Sequence, residues 1–197
     1  LQILFFLYST LPFLVIWIPS ALNGKPNGFS SISLVSIVRV ISLVLLSKLL
    51  SASSESVYLS GALVNGYPMD FVLKLDMARA CFLLTAELCF LLAHWICRIN
   101  AYNINTVNPL LFLMQGFCSL LITAENTVAV GGILILAAIV FFYLVRFSME
   151  PERKEMAERI SRSVYLLFFF VGLLMITWGI TEFGEKDLRF TKGSGSQ

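Results

Sequence analysis

The sequence predicts an all-α integral membrane protein, a bundle of about six transmembrane helices with both termini on the outer side. Of its 197 residues, 58% are hydrophobic and only 13% are charged, and the mean hydropathy is +0.85. Soluble domains carry about 25% charged residues, and a helix needs roughly 20 apolar residues to cross the hydrocarbon of a bilayer. Six such segments and their connections account for nearly all of these residues, which leaves no length for a soluble catalytic domain.

The predicted spans are apolar runs separated by segments rich in Asn, Gly, Ser or charged residues, which are typical of turns and loops. The first run lacks a basic leader and a cleavage site, so we interpret it as a span and not as a signal peptide. We predict one six-helix transmembrane domain over residues 1–182 and a polar tail over 183–197, with an amphipathic helix over the charged segment 150–159. The six spans cover residues 1–22, 31–50, 71–99, 109–124, 127–146 and 163–180.

The distribution of Lys and Arg predicts the orientation, because basic residues accumulate in cytoplasmic connections. With the amino terminus outside, the outer loops between spans carry no basic residue, and only the tail adds positive charge there. The inner connections then carry Lys25, Arg98, Arg146, Arg153, Lys154, Arg159 and Arg162.

Ionisable residues at membrane depth are costly, so each one is a candidate for function. Asp76, Glu87 and His94 fall within roughly 20° of one line on the third helix, at about 100° per residue. Arg39 in the second span could neutralise Glu87 or Asp76, and water can reach Glu125 at the turn between spans four and five. The candidate proton path therefore comprises Asp76, Glu87, His94, Arg39, Arg79 and Glu125.

The same residues also have a purely structural interpretation. Asp76 and Arg79 are three residues apart and can pair with each other on a helix. For Glu87 the functional and structural interpretations carry equal weight, and His94 is more simply explained as an interfacial histidine. In the fifth span, Gly131 and Gly132 would permit close helix packing.

Several classes of function have no support in the sequence. One histidine cannot supply both axial ligands of a haem, and the cysteines form no CxxC pair for a metal or an iron–sulfur cluster. Nucleotide-binding and hydrolase motifs are also missing, and scattered basic residues argue against nucleic acid. We expect no cofactor, no metal and no catalysis by the chain alone. The cysteines are interpreted as small core residues: Cys81, Cys89, Cys97 and Cys118.

Three segments resemble the first six helices of the antiporter-like subunits of respiratory complex I and of multi-subunit sodium/proton antiporters. Residues 69–76 (MDFVLKLD) are similar to the start of the family's third helix, and residues 121–126 (LITAEN) to the turn before its fifth. Residues 178–188 (WGITEFGEKDL) look like the polar loop after its sixth helix. The resemblance implies a subunit of a larger assembly in an energy-transducing inner membrane, either bacterial cytoplasmic or mitochondrial.

The departures from that family are also informative. The resemblance implies a proton-moving glutamate in the fifth helix, at a place that holds Leu134 or Ile135 here. It also implies a lysine in the sixth helix, near Glu158 or Arg159. A carboxylate–lysine pair works because each partner shifts the pKa of the other, and leucine or isoleucine cannot do so. The resemblance therefore implies a copy that is degenerate for pumping, unless Glu87 has taken over that role.

The leading expectation is an accessory or divergent antiporter-like subunit of a proton- or cation-translocating complex: complex I, a related hydrogenase, an antiporter or an ion-coupled uptake system. Its partners would be the other membrane subunits and the lipid bilayer, and its role mainly structural with a contribution to a proton path. One alternative is an independent small transporter or channel. Another is a membrane anchor or assembly factor whose segment 147–162 docks a soluble partner through Arg153 and Lys154.

Overall fold

The computed structural model describes residues 2–15, 31–53, 56–62, 70–100, 104–149 and 154–193. This part of the chain consists of six helices and one two-stranded antiparallel sheet. The elements are α1 (Gln2–Val15), α2 (Ser31–Ser53), β1 (Val57–Ala62), β2 (Asp70–Leu75), α3 (Met77–Asn100), α4 (Ile104–Thr123), α5 (Thr127–Ser148) and α6 (Lys154–Gly193).

Four of these helices, α3 to α6, are long and apolar enough to cross a membrane by length and composition. Their apolar stretches are Met77–Ile96, Thr106–Thr123, Thr127–Ser148 and Glu155–Thr181, and α1 contributes a shorter apolar helix. The predominantly helical fold that the sequence predicts is therefore confirmed. The number of crossings and the side of the termini stay predictions.

A β-hairpin replaces part of the predicted loop 51–68 and the beginning of the predicted third span. Strands β1 and β2 pair from Val57 opposite Leu75 to Ala62 opposite Asp70. In β2, Leu73 and Leu75 are buried and Lys74 between them is more exposed, as expected for the two-residue period of a strand. The third helix therefore begins at Met77 and not near residue 71.

Asp76 caps that helix instead of lying within it. Its Oδ1 accepts the backbone N–H of Arg79 at 2.8 Å, which satisfies one of the unpaired donors of the first turn. The polar stripe that we predicted for the third helix thus begins with a capping residue at the hairpin.

Helices α1 to α4 pack against each other along seams of residues three or four positions apart, which lie on one face of a helix. In α3 the buried positions Ala80, Leu83, Glu87 and His94 form such a seam. The corresponding seam of α2 comprises Ser36, Arg39, Leu43, Leu46 and Leu50.

Helices α5 and α6 form a close pair through glycine. A Cβ on Gly131 would lie 2.6 Å from the carbonyl oxygen of Gly172, and one on Gly179 would lie 2.5 Å from Val128 Cγ2. The packing predicted for Gly131 is confirmed, whereas a Cβ on Gly132 would meet nothing within 4 Å.

Helix α6 joins three segments that we had predicted as separate: the charged segment, the sixth span and the first part of the tail. Glu155 and Arg159 pair at 2.9 Å one turn apart, which supports helix through the charged segment. Residues 185–192 are rich in Glu, Lys, Leu and Arg, which favour helix and carry it to Gly193.

The hairpin, the turn at residues 124–126 and the helix termini around them define one end of the molecule, called the hairpin end. Gln2 donates a hydrogen bond to the carbonyl oxygen of Tyr58 at 3.4 Å, so α1 starts there. Because Gly179 lies against Val128 at the start of α5, α6 also runs towards this end.

Candidate functional site

A buried carboxylate, Glu87, is the centre of a polar cluster inside helices α1 to α4. Its side chain is 1% exposed. Tyr8 of α1 donates its hydroxyl to Glu87 Oε1 at 2.7 Å, and the Gln115 amide of α4 donates to Oε2. Arg39 of α2 completes the set with an ion pair at 2.5 Å, so that each of the other three helices contributes a donor.

Arg39 is held on several sides. Its Nε lies 3.2 and 3.3 Å from the two oxygens of Glu87, and its Nη2 donates to Ser119 Oγ at 2.8 Å. The guanidinium carbon lies 4.5 Å from the centre of the Tyr8 ring, a cation–π contact. Of the two partners that the sequence offered for Arg39, the structure brings it to Glu87.

The cluster is closed on the side that faces the hairpin end. Beyond Arg39 and Glu87 in that direction the described buried residues are mostly apolar, and the buried hydroxyl of Thr123 there donates to the backbone carbonyl of Ser119. This apolar plug comprises Phe5, Leu43, Leu46, Leu50, Leu73, Leu75, Ala80 and Leu83. Asp76 and Glu87 lie on opposite sides of this plug, and a path between them stays a prediction.

Polar groups continue on the opposite side, towards His94. The His94 ring is buried against Phe112, with ring centres 4.4 Å apart, and is therefore not an interfacial histidine. Asn108 and Gln115 lie within interaction range of the ring, yet neither ring nitrogen has a hydrogen-bond partner of normal geometry. In the described part of the chain, three further buried atoms have no hydrogen-bond partner: Ser36 Oγ, Arg39 Nη1 and Gln115 Oε1.

The remaining predicted path residues form a second, exposed network at the hairpin end. Glu125 lies 3.3 Å from Lys74 Nζ and 3.5 Å from Arg79 Nη2, and Arg79 also pairs with Asp76 at 3.8 Å. Hydrogen bonds with Tyr58 and Glu125 raise the pKa of Lys74 above its ordinary value. This network attaches the hairpin to the turn between α4 and α5, where the Glu125 N–H also donates to the carbonyl of Val72 at 3.0 Å.

The positions at which the resemblance implied a carboxylate–lysine pair lie on α5 and α6. Leu134 lies in α5, whose residues 127–142 carry no ionisable side chain. Glu158 pairs with Arg146 at 3.4 Å near the end opposite the hairpin. Arg153 lies outside the described residues, as does the side chain of Lys154, so the predicted docking pair has no structural account.

Metal and disulfide chemistry find no support among the side chains that the structure describes. No group of three or more His, Cys, Asp or Glu residues there could hold a metal ion. Cys81, Cys89 and Cys118 are free thiols. Cys81 and Cys89 are exposed, so the prediction that they are core residues is wrong for these two.

Sequence reasoning missed three members of the central cluster: Tyr8, Gln115 and Ser119. Neutral polar residues are common in apolar helices, so none is conspicuous by itself. Their spacing carries a usable signal, because Gln115 and Ser119 lie one turn apart on α4 and mark a polar patch on one face.

The comparisons with known proteins add no relative. The sequence matches no protein-family model, and neither curated proteins nor solved structures show a significant similarity to it.

Proposed function

We propose that this chain is an accessory, antiporter-like membrane subunit of a proton- or cation-translocating assembly, and that its own contribution is chiefly structural. The observation that carries the proposal is the buried ion pair of Arg39 and Glu87, which is tied to four helices.

The bonding of Glu87 favours a structural role over proton transfer. Both carboxylate oxygens accept hydrogen bonds, from Tyr8, Arg39 and Gln115. A carboxylate held by a bidentate arginine and two further donors makes strong, directional hydrogen bonds that fix the positions of its partners. Such a group braces the helices, whereas a proton carrier must alternate between two protonation states.

The apolar exterior supports the membrane setting. Large hydrophobic side chains such as Phe82, Trp95, Leu174 and Trp178 are at least 60% exposed. Isolated in water these surfaces would be unfavourable, whereas lipid or neighbouring membrane subunits can cover them. We keep the predicted orientation, with the hairpin end on the outer side, as part of the proposal. Paired basic residues lie at both ends of the described structure: Lys74 and Arg79 at the hairpin end, Arg146 and Arg159 at the opposite end. An energy-transducing inner membrane is the proposed location.

Co-purification tests the proposal directly. The full chain, tagged and extracted from its native membranes in mild detergent, should carry redox or antiporter subunits with it in stoichiometric amount. A chain that purifies alone, with those subunits intact elsewhere in the membrane, would contradict the proposal.

The purified chain also distinguishes an accessory subunit from the alternative, an independent transporter. The purified chain alone, reconstituted in liposomes with a pH-sensitive dye inside, should show no more proton flux than empty liposomes under an imposed potential. Flux that Glu87→Gln abolishes and Lys48→Gln retains would instead support an independent transporter, because Lys48 is exposed on the same helix as Arg39.

A further inference from the structure

We infer that ordered water occupies a pocket between Glu87 and His94, and that this water reaches the buried ion pair from one side only. The inference rests on the membrane setting proposed above, in which lipid supplies no hydrogen bonds to the protein interior. It does not depend on which assembly the chain belongs to.

The buried polar groups around Glu87 and His94 do not all have hydrogen-bond partners. Among the residues that the structure describes, five buried side-chain atoms lack a partner, and they belong to Ser36, Arg39, His94 and Gln115. Each of these residues is at least nine-tenths buried, with exposures of 2%, 0%, 7% and 1% in that order. Buried polar atoms are nearly always hydrogen-bonded, to protein or to water, because an unsatisfied group carries the full penalty of its desolvation.

The residues that carry these atoms lie on α2, α3 and α4, at the ion pair or on its side away from the hairpin. Ser36 lies one turn from Arg39 in α2, on the side away from the hairpin. His94 lies two turns from Glu87 in α3 on the same side, about 10 Å along the axis. Gln115 spans the distance, since its amide nitrogen donates to Glu87 and the rest of the amide lies beside the His94 ring.

The hydrogen-bonding chemistry of these unpartnered atoms fits water better than an ion. Arg39 Nη1 can only donate, Gln115 Oε1 can only accept, and the hydroxyl of Ser36 and the neutral imidazole of His94 can do both. A cation would need acceptors and an anion would need donors. Water provides both and typically makes about three hydrogen bonds when buried.

The two sides of the ion pair differ in polarity. On the hairpin side of the ion pair lies the apolar plug, and the buried hydroxyls of Ser119 and Thr123 there already donate to backbone carbonyls of α4. Neither hydroxyl is among the unpartnered atoms. Water between Glu87 and His94 therefore ends at the ion pair. The arrangement is a one-sided hydrated pocket and not a continuous pathway.

Two buried phenylalanines provide a matched test. Phe112 is 1% exposed and lies against His94, whereas Phe5 is 0% exposed and lies in the apolar plug. Hydroxyl radicals generated by X-ray radiolysis of bound water oxidise the side chains next to that water, and peptide mass spectrometry locates the products. We propose this measurement on the full chain in lipid nanodiscs, with ¹⁸O-labelled water as the solvent.

The expected result is oxidation of Phe112 several-fold faster than that of Phe5, with ¹⁸O incorporated at Phe112. His94→Leu should reduce the labelling of Phe112 towards that of Phe5, because it removes two of the polar atoms. Equal and slow labelling of both rings would overturn the inference. So would equal and fast labelling, since it would mean that the plug is also wet. Neither outcome bears on co-purification, so the two proposals can fail separately.

Discussion

The buried ion pair yields the sharpest quantitative prediction, a double-mutant cycle with Arg39→Leu and Glu87→Leu. Removing one member of a buried pair leaves an uncompensated charge and typically costs about 3–5 kcal/mol. Replacing both members with apolar residues of similar volume is often close to neutral. The double variant should therefore be more stable than the sum of the single effects by several kcal/mol.

The structure also predicts which single variant is worse. Among the described contacts, loss of Glu87 leaves Ser119 as the one acceptor for the guanidinium of Arg39. It also leaves the donors of Tyr8 and Gln115 unpaired, and each unpaired buried donor costs about 1–3 kcal/mol of stability. Loss of Arg39 leaves Glu87 with two neutral donors, and a proton can neutralise a carboxylate but not a guanidinium. Glu87→Leu should therefore destabilise the chain more than Arg39→Leu.

The assay is reversible unfolding in mixed micelles with increasing SDS, followed by circular dichroism. Lys48→Ala is the matched control, because Lys48 lies on α2 with Arg39 but is exposed. Its effect should stay within about 0.5 kcal/mol. Additive single effects, with no coupling between positions 39 and 87, would refute the reasoning.

The other stability predictions use the same assay. Gly131→Ala should destabilise the chain by about 1–3 kcal/mol, because the new methyl group would meet the backbone of α6. Gly132→Ala should be neutral or stabilising by up to about 1 kcal/mol, because alanine favours helix. Equal effects of the two variants would contradict the packing of α5 on α6. Tyr8→Phe should cost about 1.5–3 kcal/mol, since it removes a hydrogen bond to a charged group but keeps the ring over Arg39. Glu125→Gln should cost less than about 1 kcal/mol, and the difference from wild type should shrink at high salt, because its ion pairs are partly exposed.

The helices could be predicted from the sequence because apolar length is a strong signal that does not depend on tertiary context. The β-hairpin could not, because residues 70–75 merge into the apolar run of α3 and only six residues carry the two-residue period. Similarly, the continuation of α6 through its charged ends depends on helix propensity and local ion pairs, which are weaker signals than hydropathy.

The centre of the site was partly predictable for a related reason. A charged side chain at membrane depth requires a partner of opposite charge, so the sequence predicted Glu87 as one possible partner of Arg39. Tyr8 and Gln115 are neutral, and their convergence on Glu87 depends on the rotation and height of α1 and α4, which no local pattern specifies. The burial of His94 could not be predicted from the sequence, because it depends on contact with Phe112, eighteen residues away.

The central claim is that Glu87 braces this subunit and does not carry protons, and Glu87→Gln in the intact assembly tests it most directly. The variant keeps the shape of the side chain but removes its charge, so it should lower the amount of assembled complex. Coupled transport per assembled complex should remain at the wild-type level. Normal assembly with lost transport would contradict the account and would assign Glu87 to a proton path.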